Sequence, residues 1–193
     1  MSIARLRDFV GDVTDIVASG ANEDELFAKI PPRLRVLLDN DDWLPDSFAA
    51  PHAQYYQQYL LHCDPKQRFS VVSFVWGPGQ QTPIHDHTVW GVIGLLRGAE
   101  IGTRFEVAAE GQPLSECLTE RLDVGDIELV SPRVGDVHRV RNAYDDRASI
   151  SIHVYGANIG AVRRHVFDPA TGECREFVSG FSAPVVPNLW NLP

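Results

Sequence analysis

In "PIHDHTVWGVIG", residues 83–94, His85 and His87 stand two apart beside a proline in an otherwise apolar run. Side chains two apart on a strand share a face, so the pair offers two imidazoles to one ligand. His138 lies in "SPRVGDVHRVRN", where a glycine turn leads into a strand. If it enters the same interior, three neutral imidazoles meet one divalent ion, a donor set that suits zinc, copper, iron or nickel. The plain alternative for an H-x-H pair is two exposed or hydrogen-bonded histidines.

A second constellation is "SISIHVYG". Ser151, His153 and Tyr155 recur at period 2, with Ile150, Ile152 and Val154 on the other strand face. Such a polar set forms either an ordinary outer face or a hydrogen-bonded relay in an interior. In the relay Ser151 orients His153, and His153 orients the tyrosine hydroxyl.

The elements that must position these residues fall into two stretches. In residues 1–45, Ile3, Leu6, Phe9, Val10, Val13, Ile16 and Val17 recur at helical spacing. Asn22 and Glu25 are placed as a capping box for a second helix, and "PPRLRVLLDN" offers a further helix start, since proline fits a first turn. From about residue 54 short runs such as "RFSVVSFVW", "GVIGLLRG" and "ASISIHVYG" are separated by Gly, Pro, Asp or Asn. About ten strands at this spacing predict an all-β sandwich or barrel. The organisation expected is therefore a helical extension, 1–45, packed on a barrel, 46–193, as one structural unit. The tail "SAPVVPNLWNLP" is expected to run extended over that barrel.

The bulk numbers exclude several classes. A net charge of −9 makes a polyanion a poor partner, and the basic cluster "VRRH" is short, so no nucleic acid is expected. The longest apolar runs fall far below a membrane span, and "MSIARLRDFVGDV" is no secretory leader. Cys63, Cys117 and Cys174 are three, widely spaced and without C-x-x-C, which suggests inert buried thiols rather than a disulfide framework. A soluble cytoplasmic enzyme or small-molecule binder is the expectation.

The frame around the histidines resembles the cupins. Gly79, His85, His87 and Gly98 match the spacing of the first cupin motif, and Gly125, Pro132, Gly135, His138 and Asn142 approximate the second, with two gaps one residue longer. The resemblance implies a mainly β fold, the double-stranded β-helix or jelly-roll barrel, with metal near its mouth. The glutamate ligand usual in cupins falls at Gly91 or Val92, and neither binds metal. Asp86, between the histidines, points to the opposite strand face. The site is left with three neutral ligands, so a divalent ion there keeps its charge and open positions, ready for an anionic substrate.

An H-x-H pair with glycine in place of the glutamate, a third histidine about fifty residues on, and S-x-H-x-Y shortly after are similar to the cysteine dioxygenase type I family of thiol dioxygenases. That resemblance covers roughly residues 50–180. It implies one Fe(II) per chain on His85, His87 and His138, and a Ser151–His153–Tyr155 relay beside it. Animal members bind the substrate carboxylate with an arginine where this chain has Gln58. They also crosslink a cysteine near H-x-H to the relay tyrosine, and residues 84–116 contain no cysteine. Gln58 with Arg164, nine residues after Tyr155, looks like the bacterial branch that oxidises 3-mercaptopropionate. Arg164 rather than Arg163 is expected to hold the carboxylate, and Trp90 is a candidate wall of the substrate pocket.

The reaction implied adds both atoms of O₂ to the sulfur of a small carboxylated thiol, giving a sulfinic acid. L-cysteine as the main substrate, or a metal-binding cupin sensor without turnover, are the alternatives.

Overall fold

The computed structural model describes residues 2–107 and 111–183. Helix α1, Ala4–Ala18, buries Leu6, Phe9, Val13 and Ile16, the stripe that the spacing predicts. Helix α2, Glu23–Leu38, begins at the expected cap: the Glu25 amide donates to the Asn22 side chain (3.0 Å), and the Asn22 amide donates to the Glu25 carboxylate (2.9 Å). Pro31 and Pro32 lie inside α2 rather than starting a new helix. They forgo backbone hydrogen bonds, and burial of Leu26, Ile30, Leu34, Leu37 and Leu38 on both sides of them keeps the helix continuous.

Eleven strands follow among the described residues: β1 Gln57–Cys63, β2 Ser70–Trp76, β3 Ile84–His85, β4 Gly91–Arg97, β5 Ala99–Glu106, β6 Ser115–Asp123, β7 Ile127–Val130, β8 His138–Asn142, β9 Ser149–Tyr155, β10 Arg164–Phe167 and β11 Cys174–Phe177. They form two antiparallel sheets, ordered β1-β2-β9-β4-β7 and β11-β10-β3-β8-β5-β6. The architecture is the mainly β double-stranded β-helix, with the helices at its N-terminal end.

Strands β2, β4 and β9 are buried along nearly their whole length. Such strands need cover on both faces. On the outer face Val71, Val75, Val92, Ile150, Ile152 and Val154 share one core with the two helices. On the inner face Val72, Phe74, Trp76, Ile93 and Tyr155 form a second core inside the barrel. Gly94 permits the close approach of α2, because a Cβ there would lie 2.6 Å from Leu38 Cδ1. The alternation of β9 is thereby decided: its aliphatic residues face the helices, and Ser151, His153 and Tyr155 face the interior.

Asn142, the last residue of the second cupin motif, is structural. Its amide nitrogen donates to the carbonyls of Trp76, Gly77 and Arg147, tying the end of β2 to the β8–β9 turn. The cysteines need a correction. Cys63 is buried, but Cys117 and Cys174 are exposed, the latter two on strands with a solvent-facing side; all three are free. Beyond Ser182 and Ala183, the tail lies outside the described residues.

Candidate metal centre

The ends of two short strands bring the histidines together. His85 on β3 pairs directly with His138 on β8, and His87 follows in the loop after β3. Each pair of rings among the three has centroids 4.9 Å apart, and their ligand atoms lie within 4.8 Å of one another. All three side chains are buried. Burial, then the neighbouring histidines and Arg164, hold His85 and His87 well below the usual imidazole range. They are therefore neutral, the form a cation needs.

The far side of two of these rings fixes which nitrogen faces inward. Nδ1 of His85 lies 3.1 Å from the Pro83 carbonyl oxygen, and Nδ1 of His87 lies 2.9 Å from Asp136 Oδ1. With protons assigned to those nitrogens, both Nε2 lone pairs are left for an ion. Nδ1 of His138 is buried without a formed hydrogen bond among the described residues, with Glu128 Oε1 3.9 Å away. Three buried, converging imidazoles, those of His85 and His87 held neutral, fit a divalent metal ion.

Asp136 is a residue that the motifs do not reveal. Its carboxylate accepts from the His87 amide (3.0 Å), the Thr88 amide (2.8 Å) and the His87 ring. It thus clamps the turn after β3, where Thr88 takes a φ of 60°. An aspartate two residues before His138, next to a glycine, is the only signal for it in the sequence. Asp86 does point away from the centre. It accepts from the His165 amide (2.7 Å) and pairs with the His165 ring (2.8 Å), which fastens β10 to β3.

Gly91 explains the missing carboxylate ligand. It sits opposite Tyr155 in the β4–β9 pair, and a Cβ there would meet the Tyr155 ring at 2.9 Å and Val130 Cγ2 at 2.8 Å. Any side chain at 91 would occupy the space that the tyrosine fills.

The relay is formed. Ser151 Oγ and His153 Nε2 are 2.7 Å apart, as are His153 Nδ1 and the Tyr155 hydroxyl. Phe74 stacks on His153 with centroids 4.2 Å apart, and the Trp76 indole donates to Ser151 (3.3 Å). Burial, with the positive charge of Arg164 acting in the same direction, keeps His153 well below its ordinary value. Burial pushes the Tyr155 hydroxyl up, so it stays protonated.

Arg164 is only 3% exposed. Its Nη2 donates to Ser179 Oγ (2.7 Å), its guanidinium lies over Phe177 (4.7 Å), and its Nε has no partner among the described residues. Among the described residues it forms no ion pair with a carboxylate. A buried cation so placed is costly unless an anion meets it. Arg163, by contrast, is exposed and pairs with Glu176 (3.3 Å). Gln58 is buried on the face it shares with Phe74, and its Nε2 donates to the Gly180 carbonyl (2.7 Å). Ser179, Phe177, Tyr56 and Gln58 line a cleft of about 430 Å³ that opens beside Arg164. Trp90 is not brought to this pocket: two residues before Val92, it shares that residue's outward parity, packs with the helix-side core and covers Gly156.

The model of the family described as cysteine dioxygenase type I matches residues 4–168. Among solved structures, a double-stranded β-helix protein from Klebsiella pneumoniae is 16% identical, with 69% of this chain and 88% of that chain covered at a TM-score of 0.47. TT1209 from Thermus thermophilus is 18% identical, over 58% of this chain and 92% of that one, at 0.41. A cupin 2 domain-containing protein from Halorhodospira halophila is 14% identical, over 62% and 74%, at 0.42.

Proposed function

Because the chain belongs to the cysteine dioxygenase type I family and is thus a thiol dioxygenase, we propose that it holds Fe(II) on His85, His87 and His138 and oxidises 3-mercaptopropionate to its sulfinic acid. L-cysteine is the second candidate substrate. The observation that carries the reading is the juxtaposition of three buried, converging imidazoles with the Tyr155 ring, which stacks on His87 at 5.2 Å. Iron held by those three histidines would supply the redox chemistry that joins O₂ to a thiolate.

The chain's own residues do the rest. Arg164 receives the substrate carboxylate, since its planar donors match two oxygens and no carboxylate among the described residues pairs with it. Gln58 shapes the same wall, holding the segment at Gly180. Tyr155 presents a protonated hydroxyl to the sulfur or oxygen, and His153, backed by Ser151, fixes its direction. The aspartates beside the centre are committed, Asp86 to His165 and Asp136 to His87 and Thr88. Neither is free to receive a substrate ammonium, which favours 3-mercaptopropionate over L-cysteine. We place the reaction in the cytoplasm, with the helices of 1–45 and the barrel of 46–193 acting as one unit; no described helix is long and apolar enough to cross a membrane.

The test compares sulfinate formation from 3-mercaptopropionate, L-cysteine and cysteamine by the iron-loaded chain and its Arg164→Ala and Arg163→Ala variants. The expected order is 3-mercaptopropionate first and cysteamine last, with kcat/KM at least tenfold lower in Arg164→Ala and unchanged in Arg163→Ala. Equal rates for cysteamine, which lacks the carboxylate, would mean that Arg164 does not hold the substrate.

A further inference from the structure

After β11 the chain turns back along the cleft beside Arg164. Residues 178–182, "VSGFS", form a strap tied chiefly to Gln58 on β1. The Gln58 amide donates to Ser182 Oγ (2.8 Å), the Ser182 amide donates to the Gln58 carbonyl (2.9 Å), and Gln58 Nε2 donates to the Gly180 carbonyl (2.7 Å). The Gly180 amide in turn donates to the Gly160 carbonyl (2.9 Å), and Phe181 packs against the core inside the barrel. Gly180 takes a φ of 64°, a left-handed turn that glycine adopts at little cost. On the near side of that turn Ser179 Oγ accepts from Arg164 Nη2 (2.7 Å).

A guanidinium on a long side chain must give up rotamer freedom before it can hold an anion with two donors. In this fold it is oriented in advance. The Phe177 ring, on the residue that pairs with Arg164 across β10 and β11, lies 4.7 Å from the guanidinium and sets its plane. Ser179 fixes its rotation within that plane. Nε, buried without a partner among the described residues, is left as a donor for an incoming oxygen.

Resting on the reading that Arg164 receives the substrate carboxylate, we infer that Ser179 is a positioning residue for that recognition, and that Gln58 acts on the substrate only through the strap that delivers Ser179. The Gln58 side-chain nitrogen is directed to Gly180 and its backbone to Ser182, so both ends of the residue serve the strap. Selection for a carboxylated thiol is then a joint property of β1, β10 and the strap. Neither Ser179 nor Gln58 needs to touch the thiol itself.

Calorimetric titration of the iron-loaded chain, without oxygen, tests this with 3-mercaptopropionate and 3-mercaptopropionamide, which has the same chain and no charge. For the carboxylate, Ser179→Ala and Gln58→Leu should each raise Kd about tenfold, the scale of one hydrogen bond to a charged group. For the amide both should stay within about twofold of the wild type. Ser179→Thr, which keeps the hydroxyl, should restore most of the carboxylate binding. The double variant Ser179→Ala, Gln58→Leu should bind no more weakly than Ser179→Ala, because both changes remove the same contact.

Unchanged carboxylate binding in Ser179→Ala, or equal weakening for the amide, would overturn the positioning role. Additive losses in the double variant would overturn the latch and place Gln58 on the substrate. Arg164→Ala separates these results from the reading beneath them. A wild type that does not bind 3-mercaptopropionate, or an Arg164→Ala that binds it unchanged, overturns the carboxylate reading and the inference with it. Weakened binding in Arg164→Ala beside unchanged binding in Ser179→Ala overturns the inference alone.

Discussion

Tyr155 lies almost parallel to His87, with ring centroids 5.2 Å apart and planes 22° apart. Gly91, its partner on β4, leaves the space that makes this stacking fit. A metal-ligand histidine in the proposed centre and the outer end of the relay are thus held as one packed unit.

Restoring a side chain at position 91 should therefore damage the relay before it helps the metal. Gly91→Ala places a methyl against Tyr155 and Val130 at under 3 Å. Overpacking of this kind costs about 1–3 kcal/mol. The expected outcome is a lower unfolding midpoint and at least a tenfold loss of kcat, with metal content close to normal. Retained turnover in Gly91→Ala would show that the ring has room to spare.

Tyr155→Phe separates orientation from metal binding. The ring and its stacking on His87 remain, and only the hydroxyl held by His153 is lost. Turnover should fall about 10–100-fold, while iron per chain, measured by elemental analysis, stays the same. Parallel loss of iron would make the tyrosine structural.

Asp136 gives the opposite signature. It orients the His87 ring and two backbone amides, and partners of this kind are worth about 10–100-fold in metal affinity. Asp136→Asn should weaken metal binding by that order in a competition titration against a chelator. At saturating metal, part of the activity should return.

Glu100 makes stability depend on pH in a defined direction. Its carboxyl ordinarily titrates at 4.5 and is pushed up to about 8 in the fold, mainly by burial. The folded state thus holds this proton more tightly than the unfolded chain. Its stabilising effect is complete below the unfolded value and is lost as pH rises through about 8. The loss is on the order of 3–5 kcal/mol. Glu100→Gln should therefore unfold at a higher temperature than the wild type near pH 9 and lose that advantage near pH 5. The same difference at both pH values would mean that the carboxyl is not held neutral.

Much of this is legible in the sequence because it is periodic. The α1 stripe, the Asn22–Glu25 cap, the H-x-H pair and the S-x-H-x-Y face depend only on spacing along one element. Which face of β9 looks inward is not legible. It depends on two helices more than a hundred residues upstream that cover the other face. Asp136 and Gly91 act on residues distant in the chain, His87 and Tyr155, and a lone aspartate or glycine carries no mark of such a partner. Trp90 misleads for the converse reason: nearness to His87 in the chain is no guide when alternate residues face opposite sides. Pro31 and Pro32 likewise read as a break, although tertiary burial holds α2 together through them.

The most direct test of the proposed reaction supplies the iron-loaded chain with 3-mercaptopropionate under isotopically heavy oxygen gas. Oxygen uptake and the mass of the product are followed together. A thiol dioxygenase acting on this substrate forms one sulfinate per O₂ consumed, with both oxygens of the sulfinate carrying the label. No uptake despite stoichiometric iron, disulfide as the product, or a sulfinate with only one labelled oxygen would contradict it.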